Sequence, residues 1–179
     1  MTLSLGAHPS ETDAEIVEAS LTDPDAFREL FDRHFDSVHR FAAARLGASH
    51  ADDVASQTFL VAFVGRSRYD GRYPSARPWL LGVAANLIRR HHRDETARLR
   101  ALAREAPPAG PDPHEAFDGR GRLASALARI DPDQREALLL LALGELTYRE
   151  IAVALGVPEG TVRSRIYRAR AALLEVLDR

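Results

Sequence analysis

The sequence predicts an all-α protein of two small helical domains joined by a flexible, proline-rich linker, the second domain a helix-turn-helix four-helix unit. Three observations carry this. Apolar residues recur at three- and four-residue spacing through most of the chain. Helix starts and stops are marked by Asp-Pro pairs, by Ser and Thr caps and by glycines. A stretch with four prolines and little apolar material, EAPPAGPDPHEAFD at 105–118, separates two periodic halves.

Composition sets the limits. With 179 residues and 45% hydrophobic content the chain can bury one or two compact cores. The formal charge of -2 argues against a uniformly basic nucleic-acid binder, so basic residues must act as local patches. All 24 basic residues are arginine, and there is no cysteine to form a disulfide or a thiolate metal site. The seven histidines show no ligand spacing. Adjacent His91 and His92 would point about 100 degrees apart on a helix, which makes them poor joint ligands. No cofactor and no metal is expected. No apolar run reaches the roughly 18 residues of a membrane span, and the acidic N-terminus is unlike a signal peptide, so a cytoplasmic protein is expected. Nothing resembles a phosphate-cradling glycine loop or a catalytic triad, so no enzyme is expected.

In chain order, residues 1–23 read as an N-terminal extension with one short helix at 11–20. Asp23 and Pro24 then pair a cap with a first-turn proline, and Phe27, Leu30, Phe31, Phe35, Val38, Phe41, Ala42 and Leu46 trace one apolar face until Gly47. Ser49 opens the next helix. Asp52 and Asp53 fall in its first turn, where the helix dipole favours acids, and Val54, Ala55, Phe59, Ala62 and Phe63 make its buried side. The loop GRSRYDGRYPSARP at 65–78 mixes cations with aromatic rings. That pairing suits stacking on exposed bases, and it also suits an ordinary surface turn. After it Trp79, Leu80, Val83, Ala84, Leu87 and Ile88 continue as a helix that turns steeply basic, through Arg89, Arg90 and Arg93 to Arg104.

Beyond the linker, Leu123, Ala126, Leu127 and Ile130 mark one helix, and Asp131 with Pro132 caps another running to Leu143. The stretch LTYREIAVALGVPEGTVRSRIYRAR at 146–170 then reads as two short helices about a turn at Gly156. Thr147 and Glu150 form a capping box, and Ile151, Ala152 and Leu155 pack inward. Val162, Ile166, Ala169 and Leu173 face the core of the second helix, leaving Arg163, Ser164, Arg165, Tyr167 and Arg168 largely outward. Arginine suits phosphates and guanine edges because its planar fork donates two parallel hydrogen bonds.

The order of these elements resembles the sigma-70 family of bacterial transcription initiation factors, in its small extracytoplasmic-function (ECF) group. The motifs are DDVASQTFLVAF at 52–63, RPWLLGVAANLIRRHHR at 77–93 and LTYREIAVALGVPEGTVRSRIYRARAAL at 146–173. The resemblance implies a region 2 domain at 24–104, the linker at 105–118 and a region 4 domain at 119–179. It implies that Asp52, Asp53, Ser56, Gln57 and Leu60 bind core RNA polymerase. By the same resemblance Arg72, Tyr73, Ser75, Trp79, Asn86, Arg89, Arg90 and Arg93 melt and read the minus-10 element of promoter DNA. Pro158, Glu159, Gly160, Thr161, Arg163, Ser164, Arg165 and Arg168 would read the minus-35 element in the major groove. An inhibitory anti-sigma protein is the further implied partner. Gln57 stands where the family commonly has an acid and Phe63 where it has tryptophan. The alternative reading is a stand-alone helix-turn-helix regulator, which needs neither the 52–63 helix nor the basic aromatic segment after it.

Overall fold

The computed structural model describes residues 11–105 and 119–177, so the linker expected at 105–118 lies, past Glu105, outside the described residues. By packing, the chain divides into two units, Met1–Ala84 and Ala85–Arg179, with the division inside one long helix. All regular structure among the described residues is helical.

The first unit opens with α1, Asp13–Ala19, capped by Thr12 and Glu15 in a reciprocal capping box. Its Ile16 and Val17 are buried, so this short segment belongs to the core. Asp23 caps a single 3-10 turn, Pro24–Phe27, and α2, Arg28–Leu46, follows directly. The Asp-Pro signal therefore starts a tight turn first and the α-helix four residues later. Gly47, at φ +80, ends α2, and α3, Ala48–Gly65, begins at once and packs against it. Because α3 starts at Ala48, Asp52 and Asp53 lie past its first turn. The expected dipole benefit is thereby lost, since it fades within that turn.

Leu30, Val38, Phe41 and Ala42 of α2 and Ala51, Ala55 and Phe59 of α3 are buried, and the two helices pack on one another along a seam. Each large side chain among them contributes about 1.5–3 kcal/mol by burial. Phe31 sits at the seam's edge, 37% exposed, with its ring 4.8 Å from Phe35 and 4.9 Å from Phe59. Arg66 ties the end of α3 to the end of α1. Its guanidinium lies 3.9 Å over the Phe63 ring and donates to the carbonyls of Phe63 and Ser20.

The long helix α4, Arg77–Glu105, starts two residues earlier than the apolar period suggests, because Pro78 is tolerated in a first turn. Leu80, Leu81, Ala84, Ala85 and Ile88 are fully buried, while Leu99 and Leu102 further along are half exposed.

The second unit adds α5, Gly119–Arg129; α6, Pro132–Ala142; α7, Tyr148–Leu155; and α8, Glu159–Leu177. Asp131 caps α6 by accepting from the backbone of Asp133 and Gln134. Ala126, Ile130, Ala137, Leu140, Leu146, Ile151, Val162, Ile166 and Ala169 form its core, whereas Leu123 is 44% exposed. Between α6 and α7 the chain turns at Gly144 and at Glu145, which takes a positive φ of 51. A Cβ on Gly144 would stand 2.6 Å from the Leu140 carbonyl oxygen, so only glycine lets the turn close this tightly.

Candidate nucleic-acid and polymerase interfaces

The helix-turn-helix is built from local signals. Thr147 accepts the Glu150 N–H at 3.3 Å, and the Glu150 carboxylate accepts the Thr147 N–H at 2.8 Å. At the other end Gly156 adopts the left-handed conformation, φ +64, and the Val157 N–H reaches the Ala152 carbonyl at 3.1 Å. This turn sets the start of α8, whose Val162, Ile166 and Ala169 are buried. Pro158, Glu159, Gly160, Arg163 and Arg168 are exposed, and Thr161 and Ser164 are half-buried. Arg163 is held to Glu159 one turn back at 3.2 Å, and Ser164 donates to the Thr161 carbonyl at 2.9 Å.

Arg165 departs from the outward expectation. Its side chain is 21% exposed and donates to Asp133 of α6 at 2.6 Å. Residue 165 is next to Ile166, at the margin of the buried stripe, where a long side chain can fold back onto α6. Within this unit Asp133 also takes Arg89 at 3.4 Å.

The loop before α4 is closely stapled. Arg72, exposed, grips Asp70 through Nε at 2.9 Å and Nη2 at 2.6 Å. The Arg72 side chain, its backbone N–H and its charge together hold the Asp70 carboxyl below its ordinary pKa. Tyr69 donates its hydroxyl to the Tyr73 carbonyl at 2.6 Å, and its ring lies 5.1 Å from Trp79. Burial, and then the charges of Asp13 and Asp70, push the Tyr69 phenol up to about 12, which keeps it a neutral donor. Ser75 accepts the Arg77 N–H at 3.3 Å, and Tyr73 and Trp79 are half-buried.

Along α4 the positions 86, 89, 90 and 93 fall on one helical face. Asn86 accepts from Arg89 at 2.6 Å, Arg90 lies 3.7 Å from Asp94, and Asn86, Arg90 and Arg93 are exposed.

On α3 the positions 52, 53, 56, 57 and 60 share one face, and Asp52, Asp53, Ser56, Gln57 and Leu60 are all exposed. His39 contacts Asp52 at 3.2 Å. The apolar end of this face is larger than the sequence reading assigned: Leu60 is 63% exposed, Val61 43% and Val64 74%. Its signal was present in the run LVAFV, which holds more apolar positions than one buried stripe can take.

Among the described residues no cluster of His, Asp and Glu could hold a metal, and no helix is long and apolar enough to cross a membrane.

Residues 30–98 match the family described as Sigma-70 region 2, and residues 120–173 the family described as Sigma-70, region 4. The chain is 39% identical over 140 residues to the ECF RNA polymerase sigma factor SigC of Mycobacterium tuberculosis, covering 76% of this chain and 75% of that protein. It is 37% identical over 163 residues to the RNA polymerase sigma factor CarQ of Myxococcus xanthus, covering 86% and 90%. Among solved structures, CnrH in complex with the cytosolic domain of CnrY is similar with a TM-score of 0.64 and 28% identity, over 93% of this chain and 97% of that one.

Proposed function

The chain belongs to the sigma-70 family of RNA polymerase sigma factors, in the ECF group, and from that premise we propose how its surfaces divide the work. It is a transcription initiation factor that binds core RNA polymerase and directs it to promoters. In our reading the α3 face of Asp52, Asp53, Ser56, Gln57 and Leu60, extended by Val61 and Val64, docks on core polymerase. The loop with Arg72, Tyr73, Ser75 and Trp79 and the α4 face of Asn86, Arg89, Arg90 and Arg93 hold the melted minus-10 strand. Unstacking a base costs a few kcal/mol, which ring stacking and phosphate contacts offset. The exposed start of α8, from Pro158 to Arg168, enters the major groove of the minus-35 element. Arg163 and Arg168 carry the guanidinium forks there, and Arg165 joins them on release from Asp133. The region 2 part spans 24–104 and the region 4 part 119–179. No covalent chemistry is assigned to either, the working compartment is the cytoplasm, and an anti-sigma protein is the natural inhibitor.

One observation supports this above the others. The chain joins a helix-turn-helix with exposed arginines to an exposed, acid-and-apolar helix face, and a stand-alone regulator of duplex DNA has no use for the latter. The test is run-off transcription with bacterial core polymerase on promoters recovered by sequencing the DNA bound to the reconstituted holoenzyme. Specific stimulation is expected. Tight, specific duplex binding without any stimulation of core enzyme would favour the regulator instead.

A further inference from the structure

Asp13 is the buried carboxylate of the first unit among the described residues, 6% exposed, and it sits in the segment that precedes the recognised motifs. Burying a carboxylate is costly unless its oxygens are fully partnered, and an apolar residue would pack there at lower cost. The partners show what the charge does. Its Oδ2 accepts the Ala76 N–H at 2.7 Å and faces His34 Nε2 at 2.6 Å, while Oδ1 takes Arg33 Nη1 at 3.3 Å. Beside an ionised carboxylate, Nε2 of His34 carries the proton. The Asp13 N–H in turn donates to the Pro74 carbonyl at 3.1 Å. One residue of α1 therefore holds the loop on both sides of Ser75, from its own backbone and from its side chain, and ties that grip to α2.

We propose that Asp13 is a positioning residue for promoter opening, presenting the 72–76 loop in the shape that receives an extruded base of the minus-10 strand. This rests on the reading that the loop contacts the melted strand. A loop fixed in advance loses little further freedom on capture, so the gain appears in strand capture and leaves polymerase docking and duplex anchoring alone.

The experiment uses the full chain assembled with core polymerase and a promoter recovered with the wild-type holoenzyme, both as closed duplex and with its minus-10 segment pre-opened as a bubble. Asp13→Asn removes the charge at nearly constant shape. Val17→Ala, on the same helix, weakens the packing of α1 and spares every bond of Asp13. His34→Gln keeps an N–H donor toward the carboxylate. Asp13→Asn should lower bubble affinity and the permanganate reactivity of the opened strand about tenfold, with affinity for core polymerase unchanged. Val17→Ala at equal or greater loss of melting temperature, and His34→Gln, should stay within about twofold of wild type. Amide exchange at Ala76 should quicken in Asp13→Asn and not in Val17→Ala. Should Asp13→Asn fail to fold, His34→Ala, which removes one donor, takes its place with the same expected loss. Equal bubble affinity in wild type and Asp13→Asn, or an equal loss in Val17→Ala, overturns the proposal. If wild type itself showed no preference for the bubble, the functional reading would fall and this inference with it.

Discussion

At Asp13 burial works to raise the carboxyl pKa above its ordinary 3.8, but the His34 hydrogen bond, the Ala76 N–H, the charge of His34 and the Arg33 guanidinium together outweigh it and hold it lower. A carboxyl depressed in the folded state contributes stability that is fully present above its unfolded pKa and is lost as pH falls through the folded value. Wild-type melting temperature should therefore drop below about pH 4 more steeply than that of Asp13→Asn, in which this group cannot titrate. Parallel acid limbs in the two proteins would show that Asp13 does not feel these partners. Arginine shows the same dependence on surroundings. Arg163 and Arg168 are exposed, whereas Arg165 is packed on Asp133. Arg163→Ala or Arg168→Ala should leave melting unchanged while a guanine-to-adenine change in the minus-35 element loses about 1–3 kcal/mol of discrimination for whichever arginine reads it. Arg165→Ala should lower both stability and DNA affinity, because it removes the nearer of the two arginines on the half-buried Asp133 carboxylate, Arg89 being the other, and takes a guanidinium from the proposed DNA face.

At the scale of the helices, two glycines shape the helix-turn-helix, Gly144 ahead of its first helix and Gly156 in its turn, and do different work. Gly156 is needed for its left-handed φ of +64, and a Cβ there meets nothing within 4 Å. Gly144 has no such dihedral, but its Cβ would press on the Leu140 carbonyl oxygen, a backbone atom that cannot swing aside. Gly156→Ala should cost about 1–2 kcal/mol of left-handed strain. Gly144→Ala should cost about 2–3 kcal/mol, since relief requires moving the end of α6. Denaturant midpoints of the two variants measure that order, and the reverse order would mean the α6–α7 turn relaxes more freely than its geometry allows. Gly156 was legible as a helix stop after an apolar stripe. Gly144 was not, because its reason is the close approach of two backbone segments, which leaves no pattern in residue type. The start of α3 shows the complementary limit: Ser49 looked like a cap, yet Gly47 had already turned the chain and the helix began at Ala48.

For the whole molecule, the working surfaces are meant to be separable. Leu60→Asp or Val64→Asp places a charge on an exposed apolar face and should leave melting intact while weakening association with core polymerase by tenfold or more, about 1.4 kcal/mol and upward. Duplex binding through α8 should be unaffected, and a gel-shift assay on the minus-35 duplex checks this. Simultaneous loss of both activities would place polymerase and DNA on one surface and contradict the division proposed.

What the residues alone determined was the helical class, the helix-turn-helix, the main apolar stripes and the family, because each follows from short-range spacing: caps, glycines, and apolar residues three and four apart. The exposed α3 face was named correctly as a surface, but its extension through Val61 and Val64 needed the α2–α3 packing to show which apolar residues were left over. The tertiary structure alone decided that Arg165 turns to Asp133, that Arg66 reaches back to the Ser20 carbonyl and that Asp13 grips the loop 63 residues further on. Those are contacts between distant parts of the chain. A polar side chain has the same local spacing whether it meets water or a partner, so only the fold, by bringing the partner within 3 Å, settles which it is.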